Sequence, residues 1–215
     1  MSFEYLFFDL DGTLTDPALG ITNSFIYALK KHNIEVKERS ELYKFIGPPL
    51  FDSFKTFGMS DEEANQAVAD YREYFSDKGL LENSVIEGIP EALKAIKEKG
   101  YKLVIATSKP EPFAIRILDY FKLSEYFEFV SGALFVNGKR NKKGEVIRHA
   151  LESLNINEPW KVLMIGDRFH DIEGAKENNI KSMGVTFGYG TREELAGAGA
   201  DFVADTVEEM VNAIA

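Results

Sequence analysis

Asp9-Leu10-Asp11-Gly12-Thr13-Leu14-Thr15-Asp16 follows directly on the apolar run Tyr5-Leu6-Phe7-Phe8. A bulky apolar run without alternation reads as a strand buried on both faces, here Tyr5–Leu10, as in a parallel sheet. Residues i and i+2 of a strand point to the same side, so Asp9 and Asp11 can converge just past its C-terminal edge. Ligands of open α/β sheets bind at that edge. Two carboxylates at this spacing repel each other unless a cation or a shared proton intervenes. Gly12 lets the backbone turn sharply and aim amide groups at an anion. A surface Asp-Gly turn accounts for two of these residues, but not for the whole string.

Further apolar runs repeat the pattern. Leu103–Thr107, Phe127–Ser131, Val162–Gly166 and Ser182–Phe187 read as buried strands. Pro90–Lys99 reads as a helix, with Pro90 in its first turn, a stripe of Ala92, Leu93 and Ile96, and Gly100 at its end. Gly144–Asn155 reads as another, with Val146, Ile147, Ala150, Leu151 and Leu154 on one face. Strands alternating with helices imply an α/β fold, a doubly wound and mostly parallel sheet covered on both sides.

From about Thr15 to about Val85 the alternation stops and no strand is expected. Ile21–Lys31, Glu41–Phe45 and Phe51–Phe57 look helical. Ser60–Asp77 is the clearest helix: Ser60 and Glu63 make a capping-box pattern, and Ala64, Ala67, Val68, Tyr71, Tyr74 and Phe75 keep helical spacing. A stretch of this length with its own aromatic stripe reads as a small α-helical domain, residues 15–85, inserted into an α/β core of residues 1–14 and 86–215.

Three other segments can carry chemistry. Thr107-Ser108-Lys109 ends a strand, where the hydroxyls and amides of Thr107 and Ser108 can bind phosphate oxygens; Ser and Thr are also common in plain turns. Gly166-Asp167-Arg168-Phe169-His170-Asp171 also follows a strand. Asp167 stands at its edge and Asp171 four residues on, one helical turn away. Oxygen ligands of this kind suit Mg²⁺, whereas the ordinary alternative is helix capping by Asp with Arg168 paired to a neighbour. Lys142-Lys143 precedes the helix beginning near Gly144. At 3.6 residues per turn Lys143 lies about 15° from the centre of that helix's apolar stripe and Lys142 about 110° away. A lysine that starts an apolar stripe must reach out to solvent or meet an anion. Lys143 is therefore expected to face the strand ends, provided helical geometry extends back to the pair.

The remaining features carry less. His32 and His149 read as surface or packing residues, and Gly47-Pro48-Pro49 as a rigid turn. Phe187-Gly188-Tyr189-Gly190-Thr191 is accounted for by helix initiation, through the capping pattern of Thr191 and Glu194. Cysteine is absent, which excludes disulfides, thiolate zinc sites and cysteine nucleophiles. The formal net charge of −10 argues against non-specific nucleic-acid binding. No apolar run approaches a membrane span, and the first residues lack the basic region and cleavage site of a signal peptide. A cytoplasmic protein, with neither nucleic acid nor membrane as partner, is expected.

The order DLDGTLTD, TSK, a lysine, then GDRFHD resembles the haloacid dehalogenase (HAD) superfamily of phosphotransferases, over essentially the whole chain. Phe45-Ile46-Gly47-Pro48-Pro49-Leu50 and GDRFHDIEGAK look like the phosphoglycolate phosphatase-like branch, whose members carry a helical cap inserted after the first motif. The resemblance implies a HAD-type Rossmann-like core and a Mg²⁺-dependent phosphatase working through an aspartyl phosphate. Asp9 would be the nucleophile. Asp11 would protonate the leaving oxygen, activate water, and give a backbone carbonyl to Mg²⁺. Thr107 and a lysine of the 142–143 pair would hold the phosphoryl oxygens, beside Gly12 and Ser108. Asp9 and Asp167 would bind the metal, with Asp171 a direct or water-mediated ligand. The cap, with Pro48, would choose the substrate. Arg168 departs from the superfamily, where Thr or Ser is commoner. The implied substrate is a small phosphorylated metabolite: phosphoglycolate, a nucleoside monophosphate, pyrophosphate or a sugar phosphate. Monomer and homodimer are both open. The alternatives are a sugar-phosphate mutase of the same superfamily and, from another class, a phosphorylatable receiver-like signalling module; receivers are about half this length and lack a DxDGT string.

Overall fold

The computed structural model describes residues 3–134 and 140–214. Along the chain, β1 (Tyr5–Phe8), β2 (Thr15–Asp16), α1 (Ala18–Lys31), α2 (Leu50–Lys55), α3 (Asp61–Tyr74) and β3 (Ser84–Val85) come first. They are followed by α4 (Ile89–Glu98), β4 (Lys102–Pro110), α5 (Glu111–Tyr120), β5 (Phe127–Ala133), α6 (Lys143–Ser153), β6 (Val162–Gly166), α7 (Phe169–Glu177), β7 (Lys181–Val185), α8 (Arg192–Ala198), β8 (Phe202–Ala204) and α9 (Val207–Ile214). The chain divides into a sheet unit, Met1–Asp16 with Val85–Ala215, and a helical unit, Pro17–Ser84. The two-residue strands β2 and β3 lie where it passes from one to the other, so the stretch in which no strand was expected begins and ends on one.

The sheet unit is an α/β fold, with six strands in the order β5-β4-β1-β6-β7-β8. Every pairing among them is parallel. Phe7, Val104, Ala106, Val162 and Met164 share one face with Val146, Ile147 and Ala150 of α6 and Ala175 of α7. By strand alternation Leu6, Phe8, Leu103, Ile105, Leu163 and Ile165 belong to the opposite face, and all six have no exposed surface. Burial of both faces explains the unbroken apolar runs. The chain moves outward from β1 through β4 to β5, then crosses to β6 and continues through β7 to β8. The direction reverses beside β1, so the switch point of the sheet lies at the end of the strand that Asp9 directly follows.

Several elements differ from expectation. β4 runs on to Pro110 with a register shift between Thr107 and Pro110, which carries Thr107 through Lys109 inside the strand rather than past it. β7 ends at Val185, and Phe187 lies beyond the sheet. β8 and α9 were not anticipated; Phe202–Ala204 is too short to show a period.

The helical unit has its own core. The Phe25 ring lies 4.9 Å from Phe54, 5.1 Å from Tyr71 and 5.3 Å from Phe45. The capping box of α3 is present: Glu63 N–H donates to Ser60 Oγ at 3.2 Å and Ser60 N–H donates to Glu63 Oε2 at 2.8 Å. The α-helical pattern ends at Tyr74, and Phe75–Gly79 continues as a π-turn in which Leu80 N–H donates to Phe75 O at 2.7 Å. A side chain at Gly20 of α1 would lie 1.9 Å from Gly79 O, so the widened turn is where the two segments pack backbone to backbone. Arg39–Phe45 is 3₁₀ rather than α-helical. Among the described residues, no helix is long and apolar enough to cross a membrane.

Candidate active site

The DLDGTLTD string leaves β1 and folds back on itself at once. Leu14 and Thr15 N–H groups both donate to Leu10 O, at 2.9 and 3.0 Å, and Gly12 N–H donates to Thr15 O at 2.7 Å. Gly12 takes φ +82°, a left-handed conformation that penalises any side chain. A Cβ there would also stand 2.2 Å from Asp167 Oδ2, so the turn is pressed against the second acidic motif. Asp9 N–H donates to Ile165 O at 2.9 Å, which brings the end of β1 beside the end of β6.

Asp9, Asp167 and Asp171 each offer a carboxylate oxygen within 4.8 Å of the others. Asp167 and Asp171 have no exposed surface. Each like-charged pair at that separation costs roughly 3 to 4 kcal/mol at an effective dielectric of about 20. Burial pushes the Asp167 carboxyl well above the ordinary range, and the charges of Asp171 and Asp9 push the same way. Burial likewise raises Asp171, to about 6, although Lys143 pulls against it. Among the described residues Lys143 pairs with two of the three acids: its Nζ lies 2.7 Å from Asp171 Oδ1 and 2.9 Å from Asp9 Oδ1, and donates to Ala106 O at 3.0 Å. Burial alone would lower the Lys143 ammonium, but Asp171 and Asp9 hold it up at about 12. Lys143 is the first residue of α6 and buried, whereas Lys142 is its exposed cap.

The donor set fits a hard divalent cation. All three groups present oxygen, and ligands of one Mg²⁺ stand at most about 4.2 Å apart, a spacing that small carboxylate rotations reach. Even with Lys143, the cluster keeps uncompensated negative charge in a buried place, and a cation would neutralise it. Both Asp171 oxygens are engaged: Oδ2 accepts from Arg168 N–H at 3.1 Å while Oδ1 pairs with Lys143.

A second acid–lysine pair adjoins the first. Lys109 Nζ lies 2.5 Å from Asp11 Oδ2, with the lysine side chain 5% exposed and the aspartate 22%. Burial raises the Asp11 carboxyl, with Lys109 opposing. The buried Asp11 Oδ1 has no hydrogen-bond partner among the described residues, so one oxygen of Asp11 is left for an incoming group. Thr107 is buried in the same strand, and its Oγ1 accepts from Lys109 N–H at 3.2 Å.

The structure therefore brings Asp9, Asp11, Gly12, Thr107, Lys143, Asp167 and Asp171 to one edge of the sheet. Ser108 is exposed, and strand alternation sends its side chain away from Thr107 and Lys109. Pro48 belongs to the helical unit. Arg168 is drawn towards α8: its Nε and Phe169 N–H both donate to Glu194 Oε1, at 2.8 and 3.0 Å. His170 is exposed. His32 pairs with Asp70 in the helical unit, and His149 contacts Ser131 and Arg140.

Sequence reasoning missed three residues. Lys109 was legible, because the i, i+2 rule that pairs Asp9 with Asp11 also pairs Thr107 with Lys109. Thr13 Oγ1 donates to Asp167 Oδ1 at 3.4 Å, and Tyr189 N–H donates to Asp167 Oδ2 at 2.8 Å. Neither contact has a counterpart in sequence spacing.

Comparison with known proteins finds similar sequences and folds. The family model of haloacid dehalogenase-like hydrolases matches residues 6–185. The chain is 43% identical to a 5′-nucleotidase of Pseudomonas aeruginosa, over 91% of this chain and 88% of that one. It is 37% identical to the tyrosine-protein kinase PtkA of Mycobacterium tuberculosis, over 98% of this chain and 72% of that one. A crystal structure described as a predicted phosphatase from Clostridium acetobutylicum superposes with a TM-score of 0.93 at 46% identity, covering 100% of this chain and 99% of that one.

Proposed function

This chain belongs to the haloacid dehalogenase-like hydrolase family and is one of its phosphatases, and we propose that it is a Mg²⁺-dependent enzyme that hydrolyses a small phosphate monoester through an aspartyl phosphate on Asp9. A nucleoside monophosphate or a phosphoglycolate-like ester is the substrate class we favour, in line with the relative named a 5′-nucleotidase. One observation carries the reading: Asp9 and Asp167 from two neighbouring strand ends and Asp171 from the first turn of α7 converge, with the buried Lys143 paired to Asp9 and Asp171.

An Asp9 carboxylate oxygen attacks phosphorus and the ester P–O bond breaks. Asp11 gives its proton to the leaving oxygen; the raised pKa of its buried carboxyl favours that protonated start. Water then attacks the aspartyl phosphate, Asp11 takes the water's proton, and inorganic phosphate leaves with Asp9 restored. Thr107 and Lys143 hold the phosphoryl oxygens, whereas the Gly12 amide, expected to bind phosphate, is spent on Thr15 O and those of Thr13 to Thr15 on Leu10 O, so Gly12 shapes the turn instead. Asp9, Asp167 and the Asp11 carbonyl would hold Mg²⁺, with Asp171 oriented by Lys143 and Arg168 N–H. When bound, the metal supplies the charge neutralisation that lets a carboxylate approach a phosphate dianion. Pro48 and the helical unit are assigned to substrate choice.

The test is phosphate release from a panel of phosphorylated metabolites, scored by kcat/KM with Mg²⁺ and with chelator. Release should require Mg²⁺ and return when it is restored. Full activity in metal-stripped protein would refute the metal assignment, and no release from any ester would refute the hydrolase reading. Because one relative is named a tyrosine-protein kinase, a tyrosine-containing peptide belongs in the assay as a competing acceptor. Phosphate passing to it in preference to water would replace hydrolysis with transfer.

A further inference from the structure

We propose that the loop Gly188-Tyr189-Gly190 fixes Asp167, making these three residues positioning residues for divalent-cation binding. The inference rests on the Mg²⁺ reading above and adds a segment that helix initiation alone would explain.

Asp167 is wholly buried, and its shortest hydrogen bond in the site comes from this loop, Tyr189 N–H to Oδ2 at 2.8 Å. Two glycines make that approach possible. A Cβ at Gly188 would stand 2.2 Å from Gly12 O, 2.5 Å from Asp167 Cβ and 2.6 Å from Asp167 Oδ2. A Cβ at Gly190 would stand 1.9 Å from Asp167 O. Neither glycine adopts a left-handed φ, so each is required for room rather than for conformation. The loop thus lies backbone-to-backbone against both acidic motifs. Its far side is tied down as well, since the Tyr189 phenol donates to Asp16 Oδ1 at the end of the DLDGTLTD string.

The chemical consequence is orientation. With Oδ2 committed to a short amide bond, the plane of the Asp167 carboxylate is set before any ligand arrives. Partners that orient a metal ligand contribute about 10- to 100-fold in metal affinity. A loop displaced by one methyl group would leave Asp167 buried but differently aimed.

Mn²⁺ binding, followed by the electron paramagnetic resonance of the free ion, reads this directly on the whole chain. Gly188→Ala and Gly190→Ala should each weaken Mn²⁺ binding about 10- to 100-fold. They should raise the Mg²⁺ concentration for half-activity by a like factor, with the KM for the ester unchanged at saturating Mg²⁺. Gly197→Ala, whose added Cβ meets nothing within 4 Å, should bind Mn²⁺ as wild type does. Wild-type Mn²⁺ affinity in folded Gly188→Ala and Gly190→Ala overturns the proposal, as does a raised KM with Mn²⁺ binding intact. Should neither variant fold, hydrogen exchange in the wild type decides: Mg²⁺ should slow exchange at the Tyr189 amide, and should not do so in Asp167→Asn. An amide indifferent to Mg²⁺ overturns the proposal. A wild-type protein that binds no Mn²⁺ removes the metal reading itself, an outcome seen before any glycine is changed.

Discussion

At Asp9, charge and shape can be separated by one substitution. Asparagine fills the same space without the nucleophilic anion, so Asp9→Asn should keep the fold and lose both turnover and phosphoenzyme trapping. Wild-type activity in the purified variant would withdraw the nucleophile assignment. Lys143 and Lys142 offer the opposite experiment, adjacent residues of one type in unlike surroundings. Lys143 is buried between Asp9 and Asp171, and Lys142 is exposed. Lys143→Ala should cost about a hundredfold in kcat/KM, the scale of losing one fixed donor to a developing oxyanion, whereas Lys142→Ala should be nearly silent. A severe Lys142→Ala defect beside an active Lys143→Ala enzyme would reverse the choice. Helix phase pointed to Lys143 because its stripe continues into Val146, Ile147 and Ala150, all of which are buried. Tyr189 was beyond such reasoning. It reaches Asp167 through a backbone N–H, and a main-chain donor leaves no mark in residue identity or period.

Among elements, α3 shows both what pattern can find and where it stops. Its start was legible in Ser60 and Glu63, because a capping box is a local contact between residues of fixed spacing. Its end was not, because the change to a π-turn at Phe75 accompanies the contact of Gly20 with Gly79, residues far apart in sequence. The same limit hid the continuation of β4 to Pro110, which depends on pairing with β5. A further long-range tie joins α1 to α3: Asp70 Oδ1 lies 2.9 Å from Lys31 Nζ, and Asp70 Oδ2 lies 3.2 Å from His32 Nε2. Burial opposes ionisation there, yet the hydrogen bonds from Lys31 and His32 leave the Asp70 carboxyl below its ordinary value. A carboxylate lowered by folding stabilises above its unfolded pKa of about 3.9, and the contribution is lost as pH falls through the folded value. Asp70→Asn should therefore lower the thermal midpoint fully at pH 7, with the gap closing below about pH 4. A gap independent of pH would show that shape, not charge, makes this tie.

For the molecule as a whole, the proposed function gives substrate choice to the helical unit inserted between β1 and β4 and the chemistry to the sheet unit. Pro48→Ala should then reorder kcat/KM among phosphate esters more than it shifts the thermal midpoint. An unchanged ranking with only the midpoint moved would leave Gly47-Pro48-Pro49 as a turn. The α/β architecture was legible because its strands are buried on both faces and so spell unbroken apolar runs. The order of those strands was not, since lateral neighbours such as β1 and β6 are set by pairing and not by adjacency in sequence. That order has a consequence for synthesis. Asp9 leaves the ribosome ahead of β6 and of Asp167, which follows about 160 residues later. At about 5 to 20 residues per second the interval is roughly 10 to 30 s. Throughout it, the nascent chain carries Asp9 without the second acidic motif, so on the proposed mechanism a fragment abandoned before Asp167 spends none of the cell's phosphate esters.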